Sequence, residues 1–340
     1  MQIKRIFKGL LNGLLGNYGQ EIVASGLLYD WQKTSLERPR YHNSALPEEA
    51  ESYLKGDNQW LKELQQEYAK FGEQVMIPLV WTDDFVTADD IKYFRGDNGW
   101  VWQLKGHNMS IVNYILTTYY IQSIDNLGLL EILKEDGRFG AFTFLIGEKL
   151  ISRDLLDSIT EIYFLEKHLN ISSWDNLSVL DIGAGYGRLA HRALCALPNI
   201  KAYQCTDAVA QSTFVCDYYL RSCGLGEKAK VVPLHDIEAA LENHSVDIAI
   251  NIHSFSECSI SSVDWWMSLI ESKSVKYLMV VPNSVDHESG NPLTNAGHDM
   301  QKVFEKHGYS LVVKEPKYRD PQVQQYGINP AYHYLFKLSE

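Results

Sequence analysis

Long apolar runs are missing from this 340-residue chain, and with them any candidate for a membrane-spanning helix, which needs about 20 mostly apolar residues. Basic runs are missing too. No stretch of Lys or Arg exceeds a pair, and the net charge is −12, which disfavours a general binder of nucleic acid phosphates. Cysteine is sparse: Cys195, Cys205, Cys216, Cys223 and Cys258 all lie in the C-terminal half, their number is odd, and no Cys-x-x-Cys occurs. That fits reduced thiols of a cytoplasmic protein better than disulfides or a zinc site. The zinc spacing His-Glu-x-x-His is absent, as are internal repeats and low-complexity tracts. What is present is ordinary for a soluble protein, with 45% hydrophobic and 22% charged residues, in a chain long enough for two domains.

One stretch stands out: Val179-Leu180-Asp181-Ile182-Gly183-Ala184-Gly185-Tyr186-Gly187-Arg188-Leu189. It predicts a buried strand, a glycine turn and the start of a helix, which is where an α/β sheet receives a nucleotide-like ligand. A dinucleotide fingerprint requires Gly-x-Gly-x-x-Gly, and Arg188 stands where its third glycine belongs. An acid inside the strand end suits a ligand with an amino acid at one end and an adenosine at the other, and S-adenosylmethionine (SAM) is such a ligand.

The chain around this stretch changes character along its length. Ile3, Ile6, Phe7, Leu10, Leu11, Leu14 and Leu15 recur at helical spacing beside Lys4, Arg5 and Lys8, which predicts a helix packing on its own protein or on a sister subunit, with a membrane-surface helix as the alternative. A second helix begins at Pro47-Glu48-Glu49 and continues through Leu54, Trp60, Leu61, Leu64 and Tyr68. Residues 75–106, with Pro78, Trp81, Asp83-Asp84, Trp100 and Trp102, predict loops with a short strand or hairpin, and Tyr93-Phe94-Arg95-Gly96 reads either as a lid or as an anchored surface loop. Helix returns over 108–135. Ser152 then caps a helix whose buried face is Leu155, Ile159, Ile162, Leu165 and Leu169. Its polar residues Arg153, Asp154 and Asp157 are either solvated or aimed at the ligand loop, Arg153 toward a carboxylate.

Beyond Ser172, strands are predicted at 179–182, 200–206, 229–234, 246–252, 275–281, 309–314 and 332–338, with helices at 189–197, 210–223, 260–272 and 297–307. Such alternation means a mostly parallel sheet covered on both faces, with one of the last two strands antiparallel because no helix pattern separates them. The ligand of such a sheet lies across the carboxyl ends of its strands. Asp181 can accept from the ligand's ammonium, and Gly183 and Gly185 allow close backbone approach. Asp207, which is 24 residues past Gly183, can take both ribose hydroxyls. Asp236 can accept from an adenine amino group, and Arg188 can neutralise a carboxylate directly or through a neighbour.

With these residues in place, the second half resembles a class I SAM-dependent methyltransferase. The run Ser152-Arg153-Asp154-Leu155-Leu156-Asp157-Ser158-Ile159, the glycine stretch through Arg192, and Asp247-Ile248-Ala249-Ile250-Asn251 with Ser254 and Glu257 resemble the sugar O-methyltransferase family over roughly residues 90–290. The resemblance implies an α/β fold, a Rossmann-like seven-stranded methyltransferase sheet at 171–340, behind a mainly helical N-terminal domain at 1–170 that would choose the substrate. It also implies a small-molecule acceptor, a sugar or secondary metabolite, and neither nucleic acid nor stable membrane insertion. The N-terminal helix is the expected site of any homo-oligomer contact.

Transfer from a sulfonium is an in-line displacement, and a hydroxyl acceptor predicts a general base after the fourth or fifth strand. His253 ends the fourth strand, Glu257 follows it by four residues and either orients it or acts itself, and His287 after the fifth strand is the rival. An amine acceptor needs no base. Asp286 and Glu288 flank a histidine and Glu257 is alone, so no required metal is expected. The sequence Ile252-His253-Ser254-Phe255, in place of an Asn/Asp-Pro-Pro-Tyr/Phe run, lowers the reading of a nucleic-acid methyltransferase.

Overall fold

The computed structural model describes residues 15, 46–72, 81, 85–101, 103 and 109–339. The expected N-terminal helix, apart from the single residue Leu15, lies outside the described residues together with Pro78, Asp83, Asp84 and Trp102. None of the helices within them is long and apolar enough to cross a membrane.

Helices come first: α1 (Glu48–Tyr53), α2 (Gln59–Tyr68), α3 (Ala88–Lys92), α4 (Ile111–Ile124) and α5 (Leu129–Ile132). The side chain of Asn58 caps α2 by accepting the Trp60 N–H (2.9 Å), and Leu61, Leu64 and Tyr68 face inward at the expected spacing. Residues 85–101 contain no strand. Thr87 and Asp90 form a reciprocal capping box that starts α3 instead. The long helix expected over 108–135 is broken at Asp125, whose carboxylate turns outside the helix to accept the N–H groups of Leu129 (2.7 Å) and Leu130 (2.9 Å) at the start of α5. The Tyr93–Gly96 segment is not a lid. Phe94 is fully buried and stacks on Phe139 (4.7 Å between centroids), and Arg95 is buried beside it.

A hairpin of β1 (Phe144–Ile146) and β2 (Lys149–Ile151) leads into α6 (Arg153–Leu169). Ser152 is its N-cap as expected, accepting from Leu155 N–H (3.1 Å). Its polar face is not solvated. Asp154, Asp157, Ser158 and Glu161 are buried along with the apolar stripe, because buried cations from elsewhere in the chain meet them. Arg95 reaches Asp154 (3.1 Å), Lys317 pairs with Asp157, and Arg188 forks onto Glu161 (2.8 and 2.9 Å).

The remaining chain alternates β3 (Leu177–Ile182), α7 (Arg188–Ala196), β4 (Ile200–Thr206), α8 (Ala210–Ser222), β5 (Ala229–Val231), α9 (Ile237–Asn243), β6 (Ile248–Ile252), α10 (Ser254–Glu257), α11 (Ile260–Ser272) and β7 (Tyr277–Val281). A small hairpin of β8 (Ser284–Val285) and β9 (Pro292–Leu293) follows, then α12 (Gln301–Lys306), β10 (Tyr309–Pro316), α13 (Pro321–Tyr326) and β11 (Tyr332–Leu338). The strand order is β10-β11-β7-β6-β3-β4-β5. The five strands from the edge strand β5 to β7 run parallel, and β11 is antiparallel to both its neighbours. All six residues of β3 are buried, as expected of a central strand covered on both faces. One of the two closing strands is antiparallel, as predicted, but the loop between them contains α13, which is too short to leave a periodic pattern. This seven-stranded sheet, with its flanking helices and N-terminal helical extension, is a Rossmann-like methyltransferase fold.

The N-terminal helices are joined to the sheet through charge. The Arg95 guanidinium donates to Glu135 (2.7 Å), Asp136 (2.9 Å) and Asp154 (3.1 Å), and Arg192 of α7 also reaches Glu135 (2.8 Å). Replacing Arg95 by Leu strips a buried pair of one member. Urea denaturation should show a loss of ~3–5 kcal/mol of unfolding free energy, whereas a change within about 0.5 kcal/mol would place Arg95 among ordinary surface positions.

Candidate cofactor-binding cleft

Between the ends of β3 and β4, the chain takes three left-handed turns in alternation, at Gly183 (φ 72°), Gly185 (φ 59°) and Gly187 (φ 83°). L-residues with a Cβ avoid this region, which accounts for the glycines. The N–H groups of Gly183 and Ala184 both donate to Thr206 O (2.9 and 3.1 Å), which ties the loop to the end of β4. Gly183 has a further reason to lack a Cβ, and it is not the ligand. An added Cβ would lie 2.1 Å from Ser254 Oγ, so the close approach is that of α10. At Gly185 the nearest neighbour is Trp100 Cδ1 at 3.6 Å, and this residue does face the cleft.

That cleft, open to solvent, spans about 1050 Å³ including its solvent-filled mouth above the carboxyl ends of the strands. Eight of the residues chosen from sequence line it together: Arg153, Asp181, Gly183, Gly185, Arg188, Asp207, His253 and Glu257. Asp236 and His287 do not. β5 stops at Val231, because Pro233 has no N–H to continue pairing, and the chain turns through 234–236, leaving the Asp236 side chain 62% exposed beside His235. His287 sits exposed at the tip of the β8–β9 hairpin, where Asp286 accepts the backbone N–H groups of Glu288 (3.0 Å) and Ser289 (2.7 Å) to close the turn.

The cleft's charges fall into two sets. Arg153 pairs with Asp157 (3.0 Å), and Arg188 spends its fork on Glu161, so the cations on the wall already have carboxylates. Three acids have no Lys, Arg or His ion-pair partner among the described residues. Asp181 receives only the Tyr203 hydroxyl (3.1 Å) from a side chain, and burial pushes it up to about 7 against the pull of that hydrogen bond and of Arg188. Asp207 accepts from Val209 N–H (2.8 Å) and Gly185 N–H (3.0 Å), and burial pushes it up to about 7 as well. Glu257 is also raised by burial. Trp81 Nε1 (2.7 Å) and Asn283 Nδ2 (3.3 Å) donate to its carboxylate, which therefore does not orient His253. His253 has a left-handed backbone (φ 66°). Its Nδ1 is buried without a hydrogen-bond partner, and burial, followed by Arg153, lowers its pKa to about 3.

Several participants carried no usable local signal. Lys317, just past the end of β10, and Tyr203 of β4 reach the site only through the fold. Asn251 was legible as a polar residue inside the apolar strand β6. Fully buried, it donates to Ile182 O (2.8 Å) and accepts from Phe255 N–H (2.9 Å), which holds β3 and α10 in place. Among the described residues, no group of three or more His, Cys, Asp or Glu could hold a metal ion.

No protein-family model and no curated protein matches the chain. Solved structures with a similar course exist at low identity. Magnesium protoporphyrin IX methyltransferase from Synechocystis PCC 6803, crystallised with bound SAM, is 12% identical, with 67% of this chain and 96% of that one covered and a TM-score of 0.39. A SAM-dependent methyltransferase from Aquifex aeolicus is 14% identical (51% and 89% covered, TM-score 0.38). The cyclase SpnF is also 14% identical (55% and 82% covered, TM-score 0.39). Superpositions of this extent assign no activity to the chain.

The two raised aspartates have a consequence for stability. A carboxyl whose folded pKa lies above its ordinary 3.8 contributes stability that is full below that value and is lost as pH rises through about 7. Asp181→Asn removes the buried charge while keeping an acceptor for Tyr203. At pH 8 the ligand-free variant should be more stable than the parent by up to about 4 kcal/mol, and at pH 4 the two should melt together. A pH-independent difference in thermal melts would refute this.

Proposed function

We propose that the cleft binds SAM and that the protein transfers its methyl group to a hydroxyl or amino group of a small polar acceptor. The observation that carries this reading is the pair Asp181 and Asp207, buried acids without cationic partners at the ends of adjacent parallel strands, on either side of a left-handed glycine loop. Leaving such carboxylates uncompensated destabilises the ligand-free protein, and a ligand bearing an ammonium and two ribose hydroxyls supplies the missing donors. In this reading Asp181 takes the ammonium, Asp207 the ribose hydroxyls, Gly185 the close backbone approach and Arg153 the carboxylate. Arg188 acts through Glu161, holding α6 beside the loop.

The acceptor is a sugar or secondary metabolite on the strength of the sequence resemblance. Its proton goes to Glu257. Of the three base candidates, His287 stands outside the cleft, and His253, lowered to about 3 and without an orienting carboxylate, is a weak base. Glu257 lines the cleft with its proton affinity raised, and its two neutral donors leave lone pairs for a third partner. His253 contributes a neutral imidazole at physiological pH. The methyl carbon is attacked in line, and its bonding pair to sulfur leaves with the thioether.

Calorimetry with SAM and its thioether product S-adenosylhomocysteine (SAH), beside NAD as the dinucleotide control, tests the ligand. Both sulfur compounds should bind and NAD should not. Asp207→Ala should weaken SAM by about 10- to 100-fold through loss of charged hydrogen bonds, and unchanged affinity would overturn the assignment.

A further inference from the structure

We infer that the acceptor is a small amine that enters as its cation, held by Glu257 where the indoles of Trp81 and Trp100 line the cleft. This rests on the methyl-transfer reading and adds the class of acceptor to it. With Asp181 and Asp207 assigned to the donor's ammonium and ribose, Glu257 is the one lining acid still lacking an ion-pair partner among the described residues, and both lining arginines are already paired. Its two hydrogen-bond donors, an indole N–H and an amide, are neutral and do not cancel its charge. The indoles beside it are fixed. Trp81 is held by its bond to Glu257 and by edge contact with Phe85 (5.2 Å). Trp100 is held by donation from its Nε1 to Ser212 Oγ (3.0 Å), and the two rings lie 5.7 Å apart at 49°.

A carboxylate without a cationic partner attracts a desolvated ammonium by charge, indoles lining the same cleft add the attraction of their ring quadrupoles, and a neutral hydroxyl gains from neither. It also suits the proton transfer. An ammonium gives one N–H proton to Glu257, the freed lone pair forms the N–C bond to the methyl group, and the C–S bond breaks with its pair going to sulfur. The products are a methylated ammonium, SAH and a protonated Glu257, and charge and atoms balance without a further reactant.

The test uses tetramethylammonium as the cation and tert-butanol as its neutral counterpart of similar shape, titrated into the SAH-loaded protein at constant ionic strength with tryptophan fluorescence as readout. Tetramethylammonium should bind at least about tenfold more tightly than tert-butanol. Glu257→Gln should abolish that preference while SAH affinity stays within about twofold, and Trp81→Phe, which keeps an aromatic face, should retain it. Equal binding of the two probes, no saturable binding of either, or an intact preference in Glu257→Gln would overturn the amine assignment alone. Failure of SAH to bind the parent protein would overturn the methyl-transfer reading and this inference with it.

Discussion

The arrangement depends on one buried guanidinium. Arg95 is 1% exposed and forms ion pairs with three carboxylates from two separate parts of the chain. Such a group is stable only if its partners are all in place, since desolvating it alone costs several kcal/mol. Glu135 is in turn shared with Arg192 and with the Ser152 hydroxyl that caps α6, and Asp154 accepts the hydroxyl of Tyr186 in the glycine loop. The segments carrying Arg95 and Glu135, α6, α7 and the glycine loop are therefore tied together.

Against this compensated network, the cleft is left electrostatically incomplete. Arg95, Glu135, Asp154, Asp157, Glu161 and Lys317 meet charges of opposite sign, but Asp181, Asp207 and Glu257 meet neutral donors only. The cost appears as carboxyl groups held on the protonated side of their ordinary range, which is a common property of binding and catalytic sites. The contrast sets the cleft apart more sharply than the glycine loop does, since Gly183 is explained by the packing of Ser254 alone.

How much of this was readable in the chain depended on whether a residue's role was set locally. The short apolar runs put Asp181 and Asp207 at the ends of the first two strands, where the fold has them, because a strand end is a local feature and parallel neighbours bring successive strand ends together. The same logic failed at Asp236, where Pro233 ended β5 early, and at His287, where Asp286 closed an extra hairpin. Along α6 it left two readings open. From spacing alone Arg153, Asp154 and Asp157 read either as a solvated face or as one aimed at the glycine loop, and only partners 59 and 160 positions away in the chain, Arg95 and Lys317, make that face part of the interior.

The sequence by itself determined the strands, the glycine turn after β3 and the two acids beside it, because apolar runs and glycine conformation are properties of short segments. Only the tertiary structure decided which charges are neutralised and which are left for a ligand. That depends on the distances between groups far apart in the chain and on how completely water is excluded from them, and neither is written in any one segment. For the same reason the indoles of Trp81 and Trp100 were open to a core role in the sequence and stand beside Glu257 in the fold.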